Sequence, residues 1–328
     1  MSKPVVTNSR PASDAASASG NAKATSRSAA ESKFSSGSLM DPKVVMAIRS
    51  LELRAKVVVE GFRTGLNKSP RHGFSVEFSE YRQYTQGDDP KYLDWKLFAR
   101  TDRSYIRLYE DETNLRCYLV SDFSRSMEFG TLDYSKLDYA RTIAASIAWL
   151  LNRQGDAVGL SVFDERVRLL IPARFRPGQL RRLMVGLEHK AGGKDTQPEA
   201  ALEQAAQRLN KRGLVIFVSD MLSDVDQLRQ GLKLLRGCQH DVCVFQVLDP
   251  AERDLSIDGP KLFEDLESGL KIFADPKQVR SDFVQQMDAH NQQIRDVCEQ
   301  LGVSLIQTYT DQPLERVLSE FLHSRSRR

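Results

Sequence analysis

Oxygen-bearing side chains recur at every second position in one short segment, Asp122-Phe123-Ser124-Arg125-Ser126. The segment follows directly on LRCYLVSD (115–122), whose apolar run is typical of a buried parallel strand. In a tight loop this spacing turns one carboxylate and two hydroxyls towards a common point. Because oxygen ligands select hard cations, the segment predicts a site for Mg²⁺, with Mn²⁺ or Ca²⁺ as alternatives.

A second carboxylate, Asp220, ends another apolar run, GLVIFVSD (213–220). Ligands of open α/β sheets bind at the carboxyl ends of the strands, so we expect Asp220 at the same edge as Asp122. A further hydroxyl, Thr196 in the GGKDT loop (192–196), is a candidate third contribution. The alternative for Asp220 is a cap on the helix that follows it, and the serines can likewise serve only as caps or turn residues.

The elements that must position these side chains alternate between strand and helix patterns. Strands are predicted at 105–112, 115–122, 157–165, 167–173, 213–220, 241–249 and 303–309, with a separate hairpin at 261–275. Helices are predicted at 136–153, 179–189, 198–210, 225–236, 279–301 and 313–323. This alternation predicts an α/β fold of the Rossmann-like kind, a doubly wound and mostly parallel sheet in which 167–173 is a hairpin partner of the preceding strand.

The chain is predicted to have four parts. Residues 1–40 are a Ser/Ala-rich tail too poor in apolar side chains to fold, and residues 324–328 are a basic tail. Residues 41–112 form an N-terminal extension that begins with helical periodicity, and residues 113–323 form the α/β domain.

Composition narrows the class of protein. The 328 residues include 47 Lys and Arg against 44 Asp and Glu, a near balance that argues against a nucleic-acid binder. The longest apolar run, 144–151, is too short to span a bilayer. The four cysteines are few and have no CxxC spacing, so we expect the protein to reside in a reducing cytoplasm. A basic, Ser-rich tail is also typical of an organellar transit peptide, which is the alternative.

Two motifs together resemble a known family. The DFSRS loop, the Gly-Gly loop with Thr196, and Asp220 at the end of a later strand resemble the metal-ion-dependent adhesion site (MIDAS) of von Willebrand factor A domains. The upstream segment 82–112 is similar to the signature of the DUF58 family, uncharacterised bacterial proteins with an A-type (vWA-like) domain. The signature residues are Arg82, Tyr84, Gly87, Asp88, Asp94, Trp95, Ala99 and Arg100. They either dock the extension or form a second binding site.

The resemblance implies a ligand set of Asp122, Ser124, Ser126, Thr196 and Asp220, with Asp220 acting through water. Because Lys194 and Asp195 separate the Gly-Gly pair from Thr196, Asp195 is the alternative to Thr196. In A domains an acidic side chain of a partner protein completes the metal shell. The family association implies a MoxR-type AAA+ ATPase, or its client, as the partner of a non-catalytic adaptor that matures other proteins.

Enzymatic alternatives rest on the same residues. The chain has neither a GxxxxGK[ST] phosphate loop nor a GxSxG elbow. A metal-dependent phosphohydrolase of the haloacid-dehalogenase type would use Asp122 as its nucleophile, but that chemistry needs an acid two residues later, where Ser124 stands. A structural α/β protein that binds no metal is the third hypothesis.

Overall fold

Strands and helices alternate along the chain in this computed structural model, which describes residues 40–67, 81–83, 100, 105–107, 115–164, 166–190, 202–204, 206, 207, 209, 212–257, 259–264 and 271–326. The strands are β1 Tyr81–Gln83, β2 Tyr105–Arg107, β3 Arg116–Asp122, β4 Ala157–Phe163, β5 Val167–Arg174, β6 Leu214–Ser219, β7 Asp241–Leu248, β8 Lys261–Glu264, β9 Lys271–Ala274 and β10 Ser304–Tyr309. The helices are α1 Pro42–Met46, α2 Leu51–Asn67, α3 Lys136–Arg153, α4 Gln179–Leu187, α5 Val225–Gly237, α6 Pro250–Asp254, α7 Pro276–Gln300 and α8 Leu314–Ser326.

The central sheet has six strands in the order β10-β7-β6-β3-β4-β5. All neighbouring pairs are parallel except β4 and β5, which pair antiparallel. The predicted mostly parallel sheet is therefore confirmed, and so is the hairpin pairing of the segment at 167–173. Two small antiparallel pairs, β1 with β2 and β8 with β9, lie outside this sheet.

The central strands are apolar runs because both of their faces are covered. Every residue of β4 and β6 is buried, a pattern typical of parallel strands enclosed by helices. On one face, Phe62 of α2, Ile147 of α3 and Phe321 of α8 belong to one hydrophobic cluster. On the other face, Leu232 of α5 and Ile294 of α7 belong to a second cluster. The sheet is thus doubly wound, as predicted.

Helix α3 has the predicted bounds and buries the predicted apolar face. Ser135 caps its first turn and forms a reciprocal capping box with Asp138. Ala140, Ile143 and Ala144 lie on one face of the helix and are at most 3% exposed. The helix therefore begins at a fixed residue, directly beside the loop that follows β3.

The first part of the predicted extension packs into the same core as α3. The helical pattern is broken at residues 47–50, which separate α1 from α2. Leu51, Val58 and Phe62 of α2 are buried in the cluster that includes the inner face of α3. The boundaries predicted at 40, 112 and 323 stay predictions, although α8 continues to Ser326.

Several elements differ from the sequence prediction at their ends. The strand predicted at 105–112 is described only at 105–107, and within 198–210 the described helical residues are 202–204, 206 and 207. Helix α7 begins at Pro276, earlier than predicted, because Asp275 caps it and proline suits a first turn. Helix α6 was not predicted. None of the described helices is both long and apolar enough to cross a membrane.

Candidate metal centre

The candidate site lies where β3 and β6 end side by side. Ser121 pairs in parallel register with Val218, so the next residues along the two strands, Asp122 and Ser219, are level with each other. The hydroxyl of Ser219 donates a hydrogen bond to Asp122 Oδ2 at 2.7 Å. Asp220 follows directly. The two predicted carboxylates therefore lie at one edge of the sheet, as the strand pattern predicts.

The loop after β3 turns its oxygen atoms together. The backbone N–H of Ser124 donates to Asp122 Oδ1 at 2.9 Å, a short turn that brings the chain back over the strand end. The hydroxyls of Ser124 and Ser126 are 3.0 Å apart. Ser124 is fully buried, whereas Ser126, the first residue of a 3₁₀ turn, is partly exposed. The loop thus presents two hydroxyls side by side, one of them on a partly exposed residue.

Asp122 is a buried carboxylate with another carboxylate nearby. Burial raises the pKa of Asp122 to about 7, and the negative charge of Asp220 adds to the increase. Hydrogen bonds from Ser219 and Ser124 lower this pKa in part. The described surroundings of Asp122 therefore disfavour its negative charge, and a cation beside the carboxylate would reverse that preference.

The turn that carries Asp220 has a fixed and unusual backbone. Met221 has a φ of 57°, in the left-handed region that few residues other than glycine adopt. Its N–H donates to Ser219 Oγ at 3.0 Å, and its carbonyl accepts from His290 Nε2 at 2.7 Å. Asp220 Oδ1 accepts from the N–H of Leu222 at 3.3 Å. These contacts hold Asp220 beside the strand end.

Asp220 does not cap helix α5, which was the alternative function of this residue. The cap is Asp224, whose side chain accepts from the N–H of Asp226. Asp220 instead forms an ion pair with Lys136, whose Nζ lies 2.8 Å from Asp220 Oδ2. Lys136 and its second partner, Glu252, at 2.6 Å, were not among the residues predicted from the sequence. One signal was available, because a lysine in the first turn of a helix opposes the helix dipole.

Other predicted site residues are not placed by the structure. Thr196 and its alternative Asp195 lie outside the described residues, as do Tyr84, Gly87, Asp88, Asp94, Trp95 and Ala99 of the signature. Arg82 is described as part of β1, and Arg100 is exposed. The function of the signature residues and the choice between Thr196 and Asp195 stay predictions.

The donors that are brought together fit a hard divalent cation. They are two carboxylates and two serine hydroxyls, all oxygen, with no described thiol or imidazole among them. Within the described ranges there is no cluster of three or more His, Cys, Asp or Glu side chains that could hold a metal. A cation at Asp122 would therefore depend on hydroxyls, water and an outside ligand to complete its shell.

Comparison with known proteins identifies sequence relatives along most of the chain. The family model described as "Protein of unknown function DUF58" matches residues 80–293. An uncharacterised protein of Mycobacterium bovis is 29% identical over 295 residues, which cover 89% of this chain and 92% of the relative. A Mycobacterium tuberculosis protein, also uncharacterised, matches at the same identity and coverage.

Solved structures that align with part of this chain include the following two. An aerotolerance-related membrane protein of Bacteroides fragilis is 15% identical, with a TM-score of 0.44, and the match covers 64% of this chain and 99% of that one. The VWA domain of SpRpn10 is 13% identical, with a TM-score of 0.37, and the match covers 63% of this chain and 95% of that domain.

Proposed function

This chain belongs to the DUF58 family, as its segment 82–112 predicts, and we propose that it binds other proteins through a divalent cation held at Asp122. The cation is Mg²⁺ in this proposal, with Mn²⁺ or Ca²⁺ as alternatives. The protein is a non-catalytic adaptor. In this proposal the ligands of the cation are Asp122, Ser124 and Ser126 directly, Asp220 through water, and Thr196 or Asp195 of the GGKDT segment.

The observation that supports the proposal is the meeting of two buried carboxylates from neighbouring parallel strands. Asp122 is 1% exposed and Asp220 is 3% exposed, and the nearby charge of Asp220 helps to raise the pKa of Asp122. Asp220 is paired with Lys136. The described contacts of Asp122 are hydrogen bonds from Ser124 and Ser219, and buried carboxylates are normally paired or bind a metal. The hydroxyls of Ser124 and Ser126, 3.0 Å apart, supply neutral oxygen donors on the same loop.

The partner in this proposal is a protein with an exposed acidic side chain. In this proposal the chain's own ligands leave one coordination position of the ion open, and an acidic oxygen of the partner fills it. Ser126 is partly exposed, which gives this loop a route to the surface. The resemblance to A-type domains of this family suggests a MoxR-type AAA+ ATPase or its client as that protein.

A phosphohydrolase is the weaker alternative. Asp122 would have to attack phosphorus, yet both of its oxygens accept hydrogen bonds, from Ser124 and Ser219. The position two residues later, where a general acid would stand, is a serine, whose hydroxyl is a poor proton donor at neutral pH. No described contact favours this chemistry over cation binding.

Thermal unfolding of the full chain during a MgCl₂ titration tests the proposal. An ion present at 100 times its dissociation constant stabilises the folded state by about 2.7 kcal/mol, which corresponds to a midpoint increase of roughly 5–10 °C. We expect this increase in the wild type and its loss in Asp122→Ala. A wild type that does not respond to Mg²⁺, Mn²⁺ or Ca²⁺ would contradict the proposal.

Asp164→Asn is the matched control for this titration. Asp164 is also a buried carboxylate that follows a strand of the sheet, β4, but Arg168 binds both of its oxygens, at 2.8 and 2.7 Å. The variant is expected to lose stability and to keep the Mg²⁺ response. Hydrolysis of an aryl phosphate by the wild type and not by Asp122→Ala would favour the phosphohydrolase instead.

A further inference from the structure

A buried lysine stands next to the candidate metal centre. Lys136 is the first residue of α3, and its side chain is 0% exposed. A buried ammonium is costly unless it is paired, and the positive end of the helix dipole at this position adds to the cost. The first turn of α3 is therefore an unfavourable place for a lysine unless nearby carboxylates pair with its ammonium group.

Two carboxylates hold this ammonium. Lys136 Nζ lies 2.8 Å from Asp220 Oδ2 and 2.6 Å from Glu252 Oε1, and 5.7 Å from the centre of the Phe129 ring. Burial lowers the pKa of Lys136, but the charges of Asp220 and Glu252 and their hydrogen bonds with the lysine together raise it by more, so the lysine is positively charged. The ammonium is shared between a candidate ligand of the cation and a carboxylate outside that ligand set.

Glu252 is itself held in place by the loop after β7. Its Oε2 accepts from the N–H of Asp249 at 2.8 Å, as part of the capping box of α6. Asp249 also accepts hydrogen bonds from the N–H and the hydroxyl of Thr131, in the loop before α3. The position of Glu252, and with it that of the lysine head group, is thus fixed from two loops.

We propose that Lys136 is a built-in counter-ion that weakens and sets the cation affinity of the Asp122 site. The inference rests on the proposed function. Asp122, Asp220 and Glu252 contribute three negative charges when ionised, and Lys136 removes one of them, which leaves a charge that a single divalent ion balances. Glu252 acts in the opposite sense, because it draws part of the lysine charge away from Asp220.

Two substitutions that change the charge in opposite directions test this inference. Lys136→Met removes a positive charge close to the site, so we expect the Mg²⁺ dissociation constant to fall about tenfold or more. Glu252→Gln removes a negative charge and leaves Lys136 to Asp220 alone, so we expect the dissociation constant to rise by a similar factor. The measurement is the unfolding midpoint of each full-length variant over a MgCl₂ series at constant ionic strength.

The two variants separate a counter-ion from a merely structural residue. Loss of a structural ion pair lowers the stability of both metal-free variants, but it gives no reason for opposite changes in Mg²⁺ affinity. A wild type that binds Mg²⁺ together with a Lys136→Met affinity that is unchanged or weaker overturns the inference and leaves the proposed function standing. If Lys136→Met does not fold, Glu252→Gln decides alone, and an unchanged or tighter affinity overturns the inference. A wild type that responds to none of Mg²⁺, Mn²⁺ and Ca²⁺ overturns both.

Discussion

The raised pKa of Asp122 predicts an unusual pH dependence of stability in the metal-free protein. The folded-state pKa is about 7, whereas the ordinary value for an aspartate is 3.8. Between these two values the folded protein holds a proton that the unfolded chain has released. The free energy of unfolding contributed by Asp122 is therefore largest below pH 4 and is lost as the pH rises through 7.

The size of the effect follows from the shift. Each pKa unit corresponds to about 1.36 kcal/mol, so a shift of roughly three units corresponds to about 4 kcal/mol. Asp122→Asn cannot ionise, and its altered hydrogen bonds with Ser124 and Ser219 do not depend on pH in this range. The wild-type free energy of unfolding, minus that of Asp122→Asn, should thus fall by about 4 kcal/mol between pH 4 and pH 8.

Urea unfolding in the presence of a chelator measures this difference. Subtraction of the two curves removes the titration of every group that the substitution leaves alone. Asp282→Asn, a substitution of an exposed carboxylate on α7, is the control for the loss of a carboxylate as such. Saturating Mg²⁺ should abolish the decline, because the ion favours ionised Asp122. A difference for Asp122→Asn that varies by less than about 1 kcal/mol from pH 4 to pH 8 would refute the reasoning.

Two further predictions concern the sheet and its supports. His240 is fully buried and burial lowers its pKa, so wild-type stability should fall as the pH drops below about 6.5, whereas His240→Leu should lack that decline in urea unfolding. A Cβ at Gly213 would lie 2.4 Å from the carbonyl oxygen of Arg116, so Gly213→Ala should lower the free energy of unfolding by about 1–3 kcal/mol. A Cβ at Gly237 would meet no atom within 4 Å, so Gly237→Ala should raise the free energy of unfolding by about 0.5–1 kcal/mol. Equal effects of the two alanines, or a His240→Leu profile parallel to that of the wild type, would contradict these explanations.

The fold was predictable because each central strand is a continuous apolar run and the long helices each have one apolar face. The same logic located the candidate site. Parallel strands place their carboxyl ends at one edge, so the acids at the ends of 115–122 and 213–220 were expected at the same edge. The contact of Ser219 with Asp122 could not be predicted, because it depends on the strand register, which the sequence does not supply.

Lys136 could not be predicted in this way. Its burial depends on Asp220 and Glu252, which lie 84 and 116 residues further along the chain. Local patterns treat a lysine at a helix start as solvated, and Glu252 belongs to α6, a helix of five residues that is too short for periodicity to detect. Electrostatic pairing between distant segments leaves no periodic trace in a sequence.

Helix α2 has a consequence for any shortened form of this protein. Val58 and Val59 are fully buried and Phe62 is 6% exposed, all in the cluster that covers one face of the sheet. A chain cut at residue 113 would keep α3 and α8 but expose the apolar surfaces on which α2 packs. Such a fragment would tend to self-associate, and a binding partner captured with it could be held by that newly opened hydrophobic surface instead of by the site at Asp122.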